Sequence, residues 1–298
     1  MAYQNPFVPN VKFELIPISN LVSNQVYQRN LSMPHVKKTV EHFDPKQINP
    51  VKVSRRDGIN YVFNGQHTIE IIATVSGSRQ TPVWCMVYED LDYETEADIF
   101  ANQQKYVKIL SPYEIFIANV EAGNDEQILI KNLVESYGLS VCHGKQPGGI
   151  CCVSTLEAIY EQFGYHVLER TLKIIIGTWE GDILSLSANF LRGVAKLVVT
   201  FDTKLDDDYF KDKLSRESLK ELSRNAKDRK AGSFGYAEAM ILIYNRKNTA
   251  HALPWGELYK TKSIKKKNHI DDVLRNTEES ADEPEELKQL SFDDPAVS

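Results

Sequence analysis

Apolar and polar side chains alternate along Phe13-Glu-Leu-Ile-Pro-Ile18, along Pro50-Val-Lys-Val-Ser54 and along Pro82-Val-Trp-Cys-Met-Val-Tyr88, a period of two that predicts strands. Between the first two lies a stretch from about Met33 to Phe43 with helical spacing. From Glu126 onward the period stays near 3.6. Glu126–Tyr137 stops at Gly138, a good C-terminal glycine. Ser154 and Glu157 have the spacing of a capping box opening Thr155–Phe163. Further helical periods run over about Tyr165–Ile176, Ser185–Phe201, Ser215–Ala226 and Phe234–Tyr244. The expected fold is α+β: a mixed N-terminal domain over 1–110, an all-α domain over 111–259, and a basic stretch with an acidic disordered tail over 260–298.

The segment Tyr61–Ile72 changes period from strand to helix across one glycine, Gly65. The first turn of a helix carries unsatisfied N–H donors and the positive end of the macrodipole. Such a start is a ready anion site, and the absent Cβ of Gly65 is expected to let a phosphate approach the backbone.

Three short runs flank and include this turn: Asn24-Gln-Val-Tyr-Gln-Arg29, Gly65-Gln-His-Thr68, and Ile99-Phe-Ala-Asn-Gln-Gln-Lys105 followed by Leu110-Ser-Pro-Tyr-Glu114. Their order and spacing over roughly residues 10–120 resemble the N-terminal domain of the ParB/sulfiredoxin superfamily. That resemblance implies a nucleotide or phosphate site built from Arg29, Gly65, Gln66, His67, Thr68, Asn102 and Gln103, with CTP and Mg²⁺ as the family's cofactors. Arg29 would be the permanent cation facing the turn, and His67 a phosphate donor or catalytic proton carrier. Gln66 occupies the place of sulfiredoxin's nucleophilic cysteine, and an amide cannot attack a phosphoryl group or a sulfinate. Gln66 to Thr68 also lack the two arginines with which ParB holds the triphosphate, and Ala101 stands where ParB has a metal-linked glutamate. The other reading of Gln66 and His67 is a capped, packed strand-to-helix junction without a ligand. For Asn102 and Gln103 it is a polar bridge between two elements.

Composition bounds the rest. With 42% hydrophobic residues the chain can bury two ordinary cores. No apolar run reaches the roughly eighteen residues that cross a bilayer, and Met1-Ala-Tyr-Gln-Asn-Pro lacks the regions of a secretory signal, so a cytoplasmic location is expected. Cys142, Cys151 and Cys152 lie near His143 and His166, but adjacent Cys151-Cys152 lacks the gap that lets both thiolates reach one zinc, which favours small buried thiols.

The net charge of −6 is uneven. From Asp271 to the end there are ten acidic and two basic residues, a local −8 that leaves the preceding chain at +2. Lys211–Lys267 holds fifteen basic and six acidic residues, including Lys227, Arg229 and Lys230 and the run Lys265, Lys266 and Lys267. These six are the candidate DNA contacts, since such clusters are the usual footprint of phosphate-backbone binding. From residue 276 on, the tail is too polar to offset its ordering entropy by burial.

ParB proteins follow this domain with a helix-turn-helix. Here Gly138–Ile150 is too long for its short turn, so a standard recognition helix is not expected. The leading expectation is a DNA-associated, ParB-like protein of a mobile genetic element, a phage or plasmid, with oligomerisation implied by the family. A nuclease or nucleotide hydrolase using His67, and a phage protein that binds a host protein, are the other two classes.

Overall fold

The computed structural model describes residues 9–23, 26–103, 105, 107–247 and 250–260. Lys265, Lys266, Lys267 and the acidic tail lie outside them. The chain divides into two compact units, Met1–Ile109 and Leu110–Ser298. The first is a mixed α+β unit and the second is helical, the fold class that the two periodicities imply.

The first unit runs β1 (Val11–Pro17), β2 (Leu21–Val22), α1 (Met33–Glu41), β3 (Val51–Arg56), β4 (Ile59–Asn64), α2 (Gln66–Ser76), β5 (Pro82–Tyr88) and α3 (Tyr93–Asn102). Its five-stranded sheet has the order β1-β5-β3-β4-β2. β5 is antiparallel to β1 and parallel to β3, and β4 is antiparallel to β3. The alternation read from sequence fixes the inner face: Val51, Val53, Val62, Val83, Cys85 and Val87 are buried, while Trp84 points outward. Ile69 of α2 and Ile16 and Ile18 complete that core.

Among the described residues of this unit, one charged side chain is buried. Glu96 of α3 is fully buried and meets Arg56 of β3, whose Nε lies 2.8 Å from Glu96 Oε1. The approach is close but off the N–H axis, so the contact is ionic more than a well-aligned hydrogen bond. Arg56 Nη2 and the Tyr27 hydroxyl both donate to Glu96 Oε2, at 3.4 and 3.3 Å. The Arg56 guanidinium lies 4.3 Å from the Tyr61 ring centroid. Burial, and then the Glu96 carboxylate, push the Tyr27 phenol above its usual range.

The second unit contains α4 (Pro112–Glu121), α5 (Asp125–Ser136), β6 (Ser140–Val141), β7 (Gly149–Ile150), α6 (Val153–Phe163), α7 (Tyr165–Trp179), α8 (Ala188–Phe201), α9 (Asp207–Leu214), α10 (Leu219–Arg229) and α11 (Ser233–Tyr244). α11 is apolar nearly all round and sits in the middle of the helices, as such a helix must. The expected capping box at Ser154 and Glu157 is not formed. α6 already begins at Val153, with Cys152 at its N-cap, and Glu157 instead accepts a hydrogen bond from Gln127 Nε2 at 3.1 Å. A reciprocal box does open α4, where Ser111 accepts from the Glu114 N–H and Glu114 from the Ser111 N–H. Among the described residues, no helix is long and apolar enough to cross a membrane.

Candidate functional site

Gly65 has φ 110° and ψ 14°, a conformation that bends β4 directly into α2. A Cβ built on it would lie 3.1 Å from both γ-carbons of Val51 and 3.2 Å from its Cα. The missing side chain therefore makes room for β3. Its consequence for chemistry is different. A glycine N-cap has no side chain to accept from the first turn, so no side chain caps α2.

Gly65, Gln66, His67 and Thr68 line a cleft of about 410 Å³. Across from them lie Gln28, Arg29, Asn30, Ser32 and His35, with Phe63, Asn64 and Phe100 completing the wall. Ser32 is the N-cap of α1, its hydroxyl accepting from the His35 N–H at 3.4 Å, and Pro34 fits the first turn. Two helix N-termini thus face one cleft of a volume typical for a small-ligand site. Among the described residues, buried Gln28 Oε1 has no hydrogen-bond partner, while the Gln28 amide nitrogen donates to the Val62 carbonyl. It is an acceptor that a ligand N–H or a water would satisfy.

His67 is the junction between the two helix starts. Its Nε2 accepts a hydrogen bond from the Ser32 N–H at 3.1 Å, which leaves the proton of the neutral ring on Nδ1. Its ring lies 5.4 Å from that of His35, edge to face. Burial, then His35 and Arg29, hold the His67 imidazole below its ordinary value of 6.5. Protonation would also cost the Ser32 hydrogen bond. The unfolded chain therefore takes up this proton first, and the stability that neutral His67 contributes is complete above pH 6.5 and is lost as the pH falls through the lower folded value. Chemical denaturation at pH 7.5 and pH 5 should show a smaller loss on acidification in His67→Ala than in the parent protein; equal losses would remove His67 as the sensitive group.

Of the residues singled out in the sequence, Arg29, Gly65, Gln66, His67 and Thr68 come together in the cleft. Asn102 does not. Its amide donates to the Asp98 carbonyl at 3.0 Å and the Asp98 side chain at 2.9 Å, one helical turn back. Gln103 acts from behind the wall, accepting from Asn64 Nδ2 at 2.8 Å. Gln28, Ser32, His35 and Phe100 are lining residues that sequence reasoning passed over. Ser32-Met33-Pro34 did carry a signal, an N-cap residue followed by a proline in the first turn.

In the helical unit, Lys227, Arg229 and Lys230 are exposed at the end of α10. Lys230 Nζ lies 4.3 Å from the Phe234 ring centroid and 5.7 Å from that of Tyr259. Positive charge at a helix C-terminus also offsets the macrodipole, so these residues have a structural role whatever else they do. α6, which follows the long loop after α5, buries most of one face and bears Glu157 and Glu161 but no lysine or arginine, the wrong charge for a phosphate backbone. Among the described residues, no group of three or more histidine, cysteine or carboxylate side chains converges as metal ligands would.

Comparison with curated proteins gives no match. Among solved structures, the chain is similar to a C-terminally truncated chromosome-partitioning protein ParB from Caulobacter crescentus, complexed with CTP-gamma-S, at 14% identity and a TM-score of 0.32 over 76% of this chain and 92% of that one. The model of a family of unknown function, DUF6551, matches residues 22–256, and the chain belongs to that family.

Proposed function

We propose that the chain is a ParB-like, DNA-associated protein that binds a nucleotide or phosphate in the cleft between α1 and α2. One observation carries this reading: two helix N-termini, one of them uncapped by any side chain, face the same cleft as Arg29. Backbone donors at a helix start and a guanidinium are a matched pair for phosphate oxygens. The order of the three sequence boxes makes CTP with Mg²⁺ the first ligand to test. DNA is assigned to the basic stretch that includes Lys227, Arg229 and Lys230. His67 is a binding residue in this scheme, because its Nε2 is occupied by Ser32 and cannot also take a proton from a nucleophile.

The test is calorimetric titration of the full chain with each nucleoside triphosphate and with inorganic phosphate, with and without Mg²⁺ and duplex DNA. Arg29→Ala should weaken the binding of a phosphorylated ligand about tenfold or more, the range of a lost charged hydrogen bond. Retention on DNA should fall steeply with salt. Absence of heat with every nucleotide and phosphate would dismiss the cleft as an anion site, and a flat salt profile would dismiss the DNA assignment.

A further inference from the structure

β6 and β7 are short, but they fix a register. They are parallel, with Ser140 beside Gly149 and Val141 beside Ile150. The ladder continues one step, since the Cys142 N–H donates to the Ile150 carbonyl at 3.1 Å. The next pair in register is Cys142 and Cys151. Adjacent strands lie about 4.8 Å apart, inside the range of Cα separations, about 4.4–6.8 Å, that a disulfide bridges. The sulfurs follow the backbone: Cys142 Sγ and Cys151 Sγ are 3.2 Å apart, and both thiols are free. Space for this contact depends on Gly149, where a Cβ would come 2.5 Å from Cys142 Sγ. Cys152, although adjacent to Cys151, turns the other way and donates to the Leu186 carbonyl at 3.4 Å.

We propose that Cys142 and Cys151 form a reversible disulfide that closes the loop between α5 and α6. With a peroxide as oxidant, the more accessible Cys151 attacks one peroxide oxygen as thiolate, the O–O bond breaks, and one water leaves with Cys151 as sulfenic acid. Cys142 then attacks the Cys151 sulfur, the S–O bond breaks, and a second water leaves. Two thiols have lost two protons and two electrons, and the peroxide has gained them. Burial pushes the Cys142 thiol up to about 11 and leaves it the slower, resolving partner. The oxidised loop ties the end of α5 to the start of α6 and confines the segment that carries His143 and Lys145.

Full-length protein treated with stoichiometric hydrogen peroxide, blocked with iodoacetamide and digested without reductant should yield one internally linked species, Cys142–Cys151, that dithiothreitol reverses. Closing so short a loop should raise the melting temperature by about 5 °C. The shift should vanish in Cys142→Ser and persist in Cys152→Ser. Recovery of Cys151 as sulfinic or sulfonic acid without a cross-link, or linked to Cys152 or to a second chain, would overturn the proposal.

Discussion

Replacing Glu96 by alanine is expected to destabilise the first unit by about 1–3 kcal/mol, because it removes from a fully buried position the acceptor shared by Tyr27 and Arg56. Glu96 is fully buried whereas the Arg56 side chain keeps 27% of its exposure, so water reaches the cation left behind and the cost stays below that of stranding a wholly buried charge. Replacing both together, Arg56→Met with Glu96→Leu, should recover most of the loss, since an apolar pair needs no counter-charge. Hydrogen exchange of peptides from β3 and β4 reads this unit separately from the helices. If Glu96→Ala costs less than about 1 kcal/mol, as a surface pair would, the assignment of a buried clamp fails. The same substitution should weaken phosphate binding in protein that remains folded. Tyr27 donates to Glu96 and packs 5.4 Å from Phe100, so the clamp holds the segment that brings Gln28 and Arg29 to the cleft.

The turn at the centre of the site was legible because a change of period from two to 3.6 across one glycine is written in adjacent residues. The clamp behind it was not. Glu96 lies in Tyr93-Glu-Thr-Glu96, where an acidic residue reads as ordinary first-turn charge, and only the fold reveals that this one faces Arg56, forty residues earlier. The resemblance of its box draws Asn102 to the site, and the structure shows its amide donating to Asp98 one helical turn back. Helix starts erred for a related reason. Ser185 has a helical neighbourhood in sequence, but its hydroxyl donates to the Asp182 carbonyl at 2.7 Å in a turn, and α8 begins only at Ala188. α9 is not legible in sequence because Asp-Asp-Tyr-Phe-Lys-Asp-Lys-Leu sets its apolar side chains at Tyr209, Phe210 and Leu214 among five charged residues, too short a run to declare a period.

Gly235→Ala is expected to cost the helical unit about 3 kcal/mol, at the upper end of overpacking effects, with a fall in melting temperature of roughly 10 °C. Helix propensity alone argues the opposite sign, since alanine is favoured over glycine inside a helix by about 1 kcal/mol. Packing decides against it. A Cβ at Gly235 would fall on the carbonyl oxygens of Ala226 and Lys230, backbone atoms at the end of α10 that cannot rotate away. On the other side of α11, Gly193 of α8 allows a similar approach, its Cβ position lying 3.0 Å from Tyr236 Cβ and 3.3 Å from the Ala237 nitrogen. α11 is thus held closely between two helices, and the C-terminal turn of α10, with Lys227 and Arg229, is set by the contact at Gly235. Gly256, whose Cβ would meet nothing within 4 Å, supplies the control. Equal melting temperatures for Gly235→Ala and Gly256→Ala would show that α10 yields at no cost. A large difference, accompanied by an altered salt dependence of DNA retention in the Gly235 variant, would tie the placement of the basic turn to nucleic-acid binding.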